Sequence, residues 1–188
     1  NRTGFHEYEF PETDQANIII DLTEGVTSDR ILNLWVEFVS NTEIQGLRQT
    51  DGWANNQYVF FNAEFSKPFD EYGISLDGKP VDGPKRVSGK DIKAWVRFST
   101  KDDEDILIKV GISAVSVEGA KNNRQKEIPG WDFEKVVNDA RKAWNSELGR
   151  IEVDDPDKDR KSIRHTALTY TPYFHFGILS GQRIPCLP

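Results

Sequence analysis

Methionine is absent from these 188 residues, and cysteine occurs once, at Cys186. A single thiol closes no internal disulfide and supplies no cysteine-based zinc site, so cysteine usage leaves the redox compartment open. A chain without methionine does not begin at a start codon, so Asn1 reads as a processed or trimmed end. Long apolar runs are missing too. The longest, around residues 17–20 and 106–108, fall far short of the ~20 residues that cross a bilayer. No basic and apolar leader is present.

Positive charge is in deficit: 24 Lys and Arg against 31 Asp and Glu leave a net charge of −7. Such a molecule repels phosphate backbones and anionic lipid surfaces, which excludes nucleic acid as a partner and insertion into a membrane. There is no Gly-x-Gly-x-x-Gly, no Walker loop and no Gly-x-Ser-x-Gly elbow, and His6, His165 and His175 are the only histidines. Nucleotide binding and serine-type nucleophilic catalysis therefore have no support. The acids of 155–159 alternate like a calcium loop, but Arg160 stands where glycine is required and Thr166 where the closing glutamate belongs. That rules out an EF-hand.

What is present is a β pattern. Short runs rich in Ile, Val, Phe, Tyr and Trp are separated by Gly, Asp, Asn and Pro over the first two-thirds of the chain. Leu32, Leu34, Val36 and Phe38 alternate onto one face, as do Ala94, Val96 and Phe98, and Ile106, Ile108, Val110 and Ile112. Residues 5–10, 16–22, 43–50 and 57–65 add further strands, roughly seven to nine in all, at the spacing of a sandwich. The reading is mainly β, an antiparallel β-sandwich. Asp51-Gly52, Asp77-Gly78 and Asp82-Gly83 supply turns, and 76–90 reads as a loop or hairpin region.

After Ser113 the period changes to 3.6. Phe133, Val136, Val137, Ala140, Trp144 and Leu148 predict an amphipathic helix, with Asp132 and Glu134 in its first turn and Gly149 past its end. Residues 116–126 predict a shorter helix halted before Pro129. Trp131 and Trp144 lie on the face expected to dock on the sandwich.

Two facing carboxylates would suit glycosidic acid/base chemistry, and Glu7, Glu9, Asp21, Glu37 and Glu64 lie on or beside strands. Nothing pairs them in sequence, so solvated surface or local hydrogen bonding is the reading adopted. Trp and Tyr rings pack against the CH-rich faces of sugars. Trp53, in the turn-rich 51–57 segment beside Arg48 and followed by Gln57, is the carbohydrate-contact candidate, against a plainer role capping the core edge. Trp35 and Trp95, in strand interiors, are expected to pack in the core. No residue is assigned a catalytic or metal-ligating role.

Four strings resemble the N-terminal domain of glycoside hydrolase family 92, the calcium-dependent α-mannosidases. They are Ala16 to Leu22, Gly52-Trp53-Ala54 through Phe61 to Phe69, Lys109 to Glu118, and Glu127 to Phe133. Ala143-Trp144-Asn145 and Thr166-Ala167-Leu168 continue the resemblance in order, over about residues 3–168.

The resemblance implies a two-domain enzyme. A galactose-binding or supersandwich-like N-terminal sandwich would be joined by linker helices to an (α/α)₆ barrel. Together they would hydrolyse α-mannosidic linkages with inversion, aided by calcium. The implied organisation is 1–115 sandwich, 116–153 linker helices and 154–188 the start of the barrel with an aberrant tail. The catalytic carboxylates and most calcium ligands belong to the barrel, so this chain is expected to hold no calcium and to be inactive alone. Family members carry further sandwich sequence upstream, so strands completing the sheets are expected to be missing. After Thr166-Ala167-Leu168 the sequence leaves the family pattern, and an internal deletion with a change of reading frame would account for it.

Two functional classes follow: an N-terminal domain fragment of an α-mannosidase, contacting mannose-containing glycan, or a freestanding carbohydrate-binding sandwich. The resemblance places either in the periplasm, at the cell surface or outside the cell. Exposed sheet edges favour self-association.

Overall fold

The computed structural model describes residues 2–25, 29–52, 54–83, 85–102, 104–149, 156–160 and 162–163. The chain divides into two compact units, Asn1–Phe133 and Glu134–Pro188. The aberrant tail expected from the sequence lies outside the described residues.

The first unit is a β-sandwich. One sheet has six strands in the order β1 (Thr3–Phe10), β10 (Glu104–Ser113), β5 (Gln57–Phe65), β4 (Glu43–Asp51), β3 (Arg30–Phe38) and β8 (Arg86–Gly89). The other has four: β2 (Thr13–Asp21), β9 (Ile92–Thr100), β6 (Glu71–Leu76) and β7 (Lys79–Val81). All recorded pairings are antiparallel. Three strands were not named from sequence: β6, and β7 and β8, which lie within the 76–90 region read as a loop or hairpin. Asp77 and Gly78, both at positive φ, turn the chain from β6 into β7 as a two-residue hairpin.

The core follows from strand alternation. Leu34, Val36 and Phe38 of β3, Ile44 of β4, Ala63 and Phe65 of β5, and Ile106 and Ile108 of β10 face Ile74 of β6 and Ala94, Val96 and Phe98 of β9. Phe38, Phe65, Phe69, Tyr72 and Phe98 form a continuous aromatic cluster, with ring centroids 4.2–6.3 Å apart. Burying each large apolar side chain contributes about 1.5–3 kcal/mol, which makes this cluster a principal anchor between the sheets.

Two expectations are corrected here. A register shift between Ile31 and Asn33 breaks the alternation at Leu32, so Ile31, and not Leu32, packs against the core beyond Leu34. Trp35, buried at 8 % exposure, and Trp95, half-buried, both stand outside the inter-sheet cluster. Their neighbours Leu34, Val36, Ala94 and Val96 point inward, so period two sends both indoles to the outer faces. Trp35 is covered there by the Arg86 guanidinium, 4.0 Å above its ring.

Helix α1 (Val117–Glu127) begins at Ser116, whose side chain accepts a hydrogen bond from the Gly119 N–H at 3.0 Å. It packs on the outer face of β10 and β5. Gly111 of β10 permits this seat, because a Cβ there would stand 2.2 Å from the Ala120 carbonyl oxygen. Helix α2 (Phe133–Leu148) has Glu134 in its first turn and no buried residue. Trp131, in the first unit, lies with its ring 3.8 Å from Lys109 Nζ, and Trp144 is exposed on α2.

Candidate functional site

Arg48 and Gln57 sit on neighbouring strands at one end of the six-stranded sheet. Arg48 of β4 is in register with Leu34 and Val59 and shares the inward face with Ile44 and Thr50. Its Nε donates to the Leu22 carbonyl at 3.2 Å, tying the two sheets together. Its Nη2 is buried and has no hydrogen-bond partner among the described residues. An unmet guanidinium donor costs about 1–3 kcal/mol or more, so an acceptor from outside these residues would be stabilised here. Gln57 opens β5 opposite Thr50 and is exposed. The pair is thus diagonal across one ladder, with no mutual bond recorded. Trp53 lies outside the described residues.

The turn that leads to Gln57 is organised by Asp51, which the sequence reading placed in a turn without assigning its partners. Asp51 accepts from Arg30 Nη2 at 2.6 Å and from the Asn56 N–H at 3.3 Å. The Arg30 bond, then the Asn56 bond, hold its carboxyl below the usual carboxylate range. Asn56, at φ 53, also accepts from Gln49 at 2.6 Å.

A second polar assembly lies beneath α1. Glu64 of β5 is in register with Glu43 of β4 on one side and Lys109 of β10 on the other. Arg124 of α1 inserts here, pairing with Glu64, donating through Nε to Asn62 Oδ1 at 2.8 Å and lying 3.8 Å from Glu43. Asn62 Nδ2 and Lys121 Nζ each reach Glu43 Oε1 at 2.8 Å, and Lys109 Nζ is 3.3 Å from Glu64. Burial pushes the Glu43 carboxyl up, but bonds from Lys121 and Asn62 and the Lys121 and Arg124 charges outweigh it and hold it below its usual value. Two like charges opposite each other would repel. Here three cations saturate them, so the cluster is a clamp and not an acid/base couple.

Two of the other strand acids, Asp21 and Glu37, are engaged locally. Asp21 pairs with Lys93 at 2.7 Å and accepts from the Thr23 N–H at 2.9 Å, and Glu37 accepts from Gln45 at 3.0 Å. Among the described residues no group of three or more His, Cys, Asp or Glu could hold a metal ion.

Clefts open on the sandwich among the described residues, two of them lined by aromatic side chains. One, of about 280 Å³, lies between the edge strands β1 and β2 and is largely apolar, lined by His6, Tyr8, Ile18, Ile20, Phe61 and Val110 among others. The other, of about 270 Å³, lies where β7 leaves β6, lined by Tyr72, Gly73, Ile74, Pro80–Gly83 and Trp95. Sequence reasoning missed the latter because it treated a Trp in mid-strand as a core residue.

A sequence profile described as the glycosyl hydrolase family 92 N-terminal domain matches residues 1–113, and one described as the family 92 catalytic domain matches residues 119–180. The fold is similar to a family GH92 α-mannosidase from Bacteroides thetaiotaomicron, at TM-score 0.78 and 29 % identity, over 89 % of this chain and 23 % of that one. A structure of that enzyme with mannoimidazole gives TM-score 0.74 and 30 % identity, over 81 % of this chain and 21 % of that one. A fungal protein from Arthroderma benhamiae, described as an uncharacterized secreted glycosidase, is 49 % identical over 93 residues, covering 43 % of this chain and 12 % of the relative. The chain therefore spans 12–23 % of the length of these relatives.

Proposed function

The chain belongs to glycoside hydrolase family 92, the family of the α-mannosidases it resembles, and we propose that it is the N-terminal portion of an enzyme that hydrolyses α-mannosidic linkages in glycans. The observation that carries this reading is the match of the N-terminal-domain profile over the whole sandwich, residues 1–113. In this reading the sandwich does not perform the chemistry. An inverting hydrolysis needs two carboxyl groups about 6.5–9.5 Å apart with room for water between them. The strand acids described above are instead saturated by cations or hydrogen bonds, as at Glu43 and Glu64. The catalytic carboxylates and the calcium ligands would then come from the catalytic region of the whole enzyme.

The mannoimidazole complex of a relative supports a mannose-containing glycan as the parent enzyme's substrate. The description of the fungal relative as secreted supports a location outside the cytoplasm, in the periplasm, at the cell surface or beyond it. No helix among the described residues is long and apolar enough to cross a membrane. Among the described residues no strand pairs with the outer edges of β1 and β2, which favours self-association of the isolated chain.

Release of mannose from α-1,2-mannobiose tests the reading, with calcium or with chelator and beside a full-length family member. We expect release by the full-length enzyme and none by this chain. Calcium-dependent release by the 188 residues alone would overturn the assignment. A second reading, a freestanding carbohydrate-binding sandwich, is favoured by the unmet Arg48 Nη2. It predicts glycan-array binding by the wild-type chain that Trp53→Ala removes.

A further inference from the structure

The four-stranded sheet carries an indole on its outer face in an unusual setting. Trp95 of β9 is in register with Gly73 of β6. Gly73 has no side chain to hold the ring off the strand, and a Cβ there would come within 2.6 Å of Trp95 Nε1, Cε2 and Cζ2. The indole therefore lies across β6 toward the place where β7 departs. Arg97 fixes it from the other side, with its guanidinium 5.4 Å from the ring centroid and itself held by Glu71 at 2.9 Å and Asn17 at 3.2 Å.

The departure of β7 leaves polar groups open. β7 pairs with β6 only from Ile74↔Val81 to Leu76↔Lys79, and the same register would set Gly83 opposite Tyr72. Gly83 adopts φ +98 and the ladder ends before it. In an antiparallel ladder the hydrogen-bonding direction alternates from residue to residue. Asp77 bonds toward β9, at Asp91, so the even-numbered residues of β6 point toward β7. The N–H and C=O of Tyr72 are therefore directed into the gap. Asp82 is exposed at its rim and has no recorded partner, and neither has the Trp95 Nε1–H, among the described residues.

We propose that this cleft is a carbohydrate subsite that takes one neutral pyranose ring, seated against the Trp95 indole with its hydroxyls bonded to Asp82, Trp95 Nε1–H and the Tyr72 backbone. The occupant follows from size and chemistry. The volume, about 270 Å³, is just below the ~300 Å³ at which pockets for drug-sized ligands begin, so it suits a single ring. An aromatic wall flanked by a donor and an acceptor matches the alternating CH and OH faces of a sugar. The free carboxylate and the net charge of −7 disfavour an anion. A peptide strand would need a longer free edge than Glu71–Gly73, and Glu71 is already held by Arg97.

The subsite does not depend on the parent enzyme's activity, so the mannobiose assay can fail without touching it. The test is titration of the 188-residue chain with methyl α-mannopyranoside, α-glucopyranoside and α-galactopyranoside, followed by saturation-transfer NMR and calorimetry. We expect saturable binding of at least one glycoside at about 1–10 mM, the affinity suited to one ring in a shallow site. Trp95→Ala should abolish it, and Asp82→Asn, which breaks no recorded contact, should weaken it about fivefold or more. Gly73→Ala should weaken it by lifting the indole, while Val115→Ala, at a side chain 83 % exposed and away from the cleft, should leave it within about twofold. Near-UV circular dichroism checks that each variant is folded. Absence of binding to all three glycosides by the wild-type chain would sink the proposal, as would binding unchanged in Asp82→Asn.

Discussion

Arg124 is a charged side chain only 3 % exposed, and everything it touches is also engaged by something else. Removing it leaves Asn62 Oδ1 without its donor and Glu64 and Glu43 facing each other with one cation fewer. Glu43 keeps Lys121 and Glu64 keeps Lys109, so the loss is chiefly that of the buried Asn62 acceptor left unmet, which costs about 1–3 kcal/mol. We therefore expect Arg124→Ala to lower the stability of the first unit by an amount of that order, read as a fall in the urea midpoint. A hydrophobic surface substitution such as Ile19→Ala, at a side chain 69 % exposed, should move it far less. No local pattern signals this role. Arg124 and Glu64 are sixty positions apart, and only strand pairing and the seating of a helix bring them together.

Helix α1 owes its existence to local signals and its place to distant ones. The helix over 116–126 and its stop before Pro129 are legible from the sequence, and in the structure Ser116 caps it, with Glu118 in the first turn and Arg124 and Lys126 in the last. Its seat on β10 and β5 is set by Gly111 and by the cations it delivers to Glu43 and Glu64. That seat is sensitive to acid. The Glu43 carboxyl titrates below its usual value of 4.5 in the folded chain, so folding favours the ionised form. Its contribution is complete above the unfolded value and is lost as pH falls through the folded one. Glu127, which burial pushes up but the bonds from the Arg2 backbone and side chain and from Thr3 bring down further, acts in the same sense at the far end of α1. Thermal midpoints measured from pH 7 downward should thus fall below about pH 5. Glu43→Gln should start lower at pH 7 and show a shallower decline, and an unchanged slope would contradict this account.

The first unit carries its own core, the inter-sheet cluster from Leu34 to Ile108 together with Phe69 and Phe98. A chain ending at Phe133 should therefore unfold cooperatively, with a thermal midpoint within about 3 °C of the 188-residue chain. Loss of cooperativity would show that residues beyond 133 complete the core. For the family, the sequence was enough. Spaced strings from Ala16 to Phe133 pointed to it, and the profile match and the similarity to solved α-mannosidase structures agree. The carbohydrate candidates stand differently: Arg48 faces inward with an unmet donor, Gln57 is exposed, and the Trp95 cleft was not foreseen.

Periodicity and turn chemistry by themselves determined that this chain is an antiparallel sandwich followed by helices, because alternation and capping depend on residues a few positions apart. They also determined which face of β9 and β10 is buried. Only the tertiary structure decided which indoles are surface features. A tryptophan in mid-strand has the same local sequence whether its face meets a second sheet or solvent, and at Trp95 the decision lay with Gly73, more than twenty positions away. The same holds for charge. Glu64 reads alone as a solvated acid, and it became part of a clamp when Lys109 and Arg124 were brought beside it from β10 and α1. Composition fixed the net charge, but long-range pairing fixed which of those charges meet.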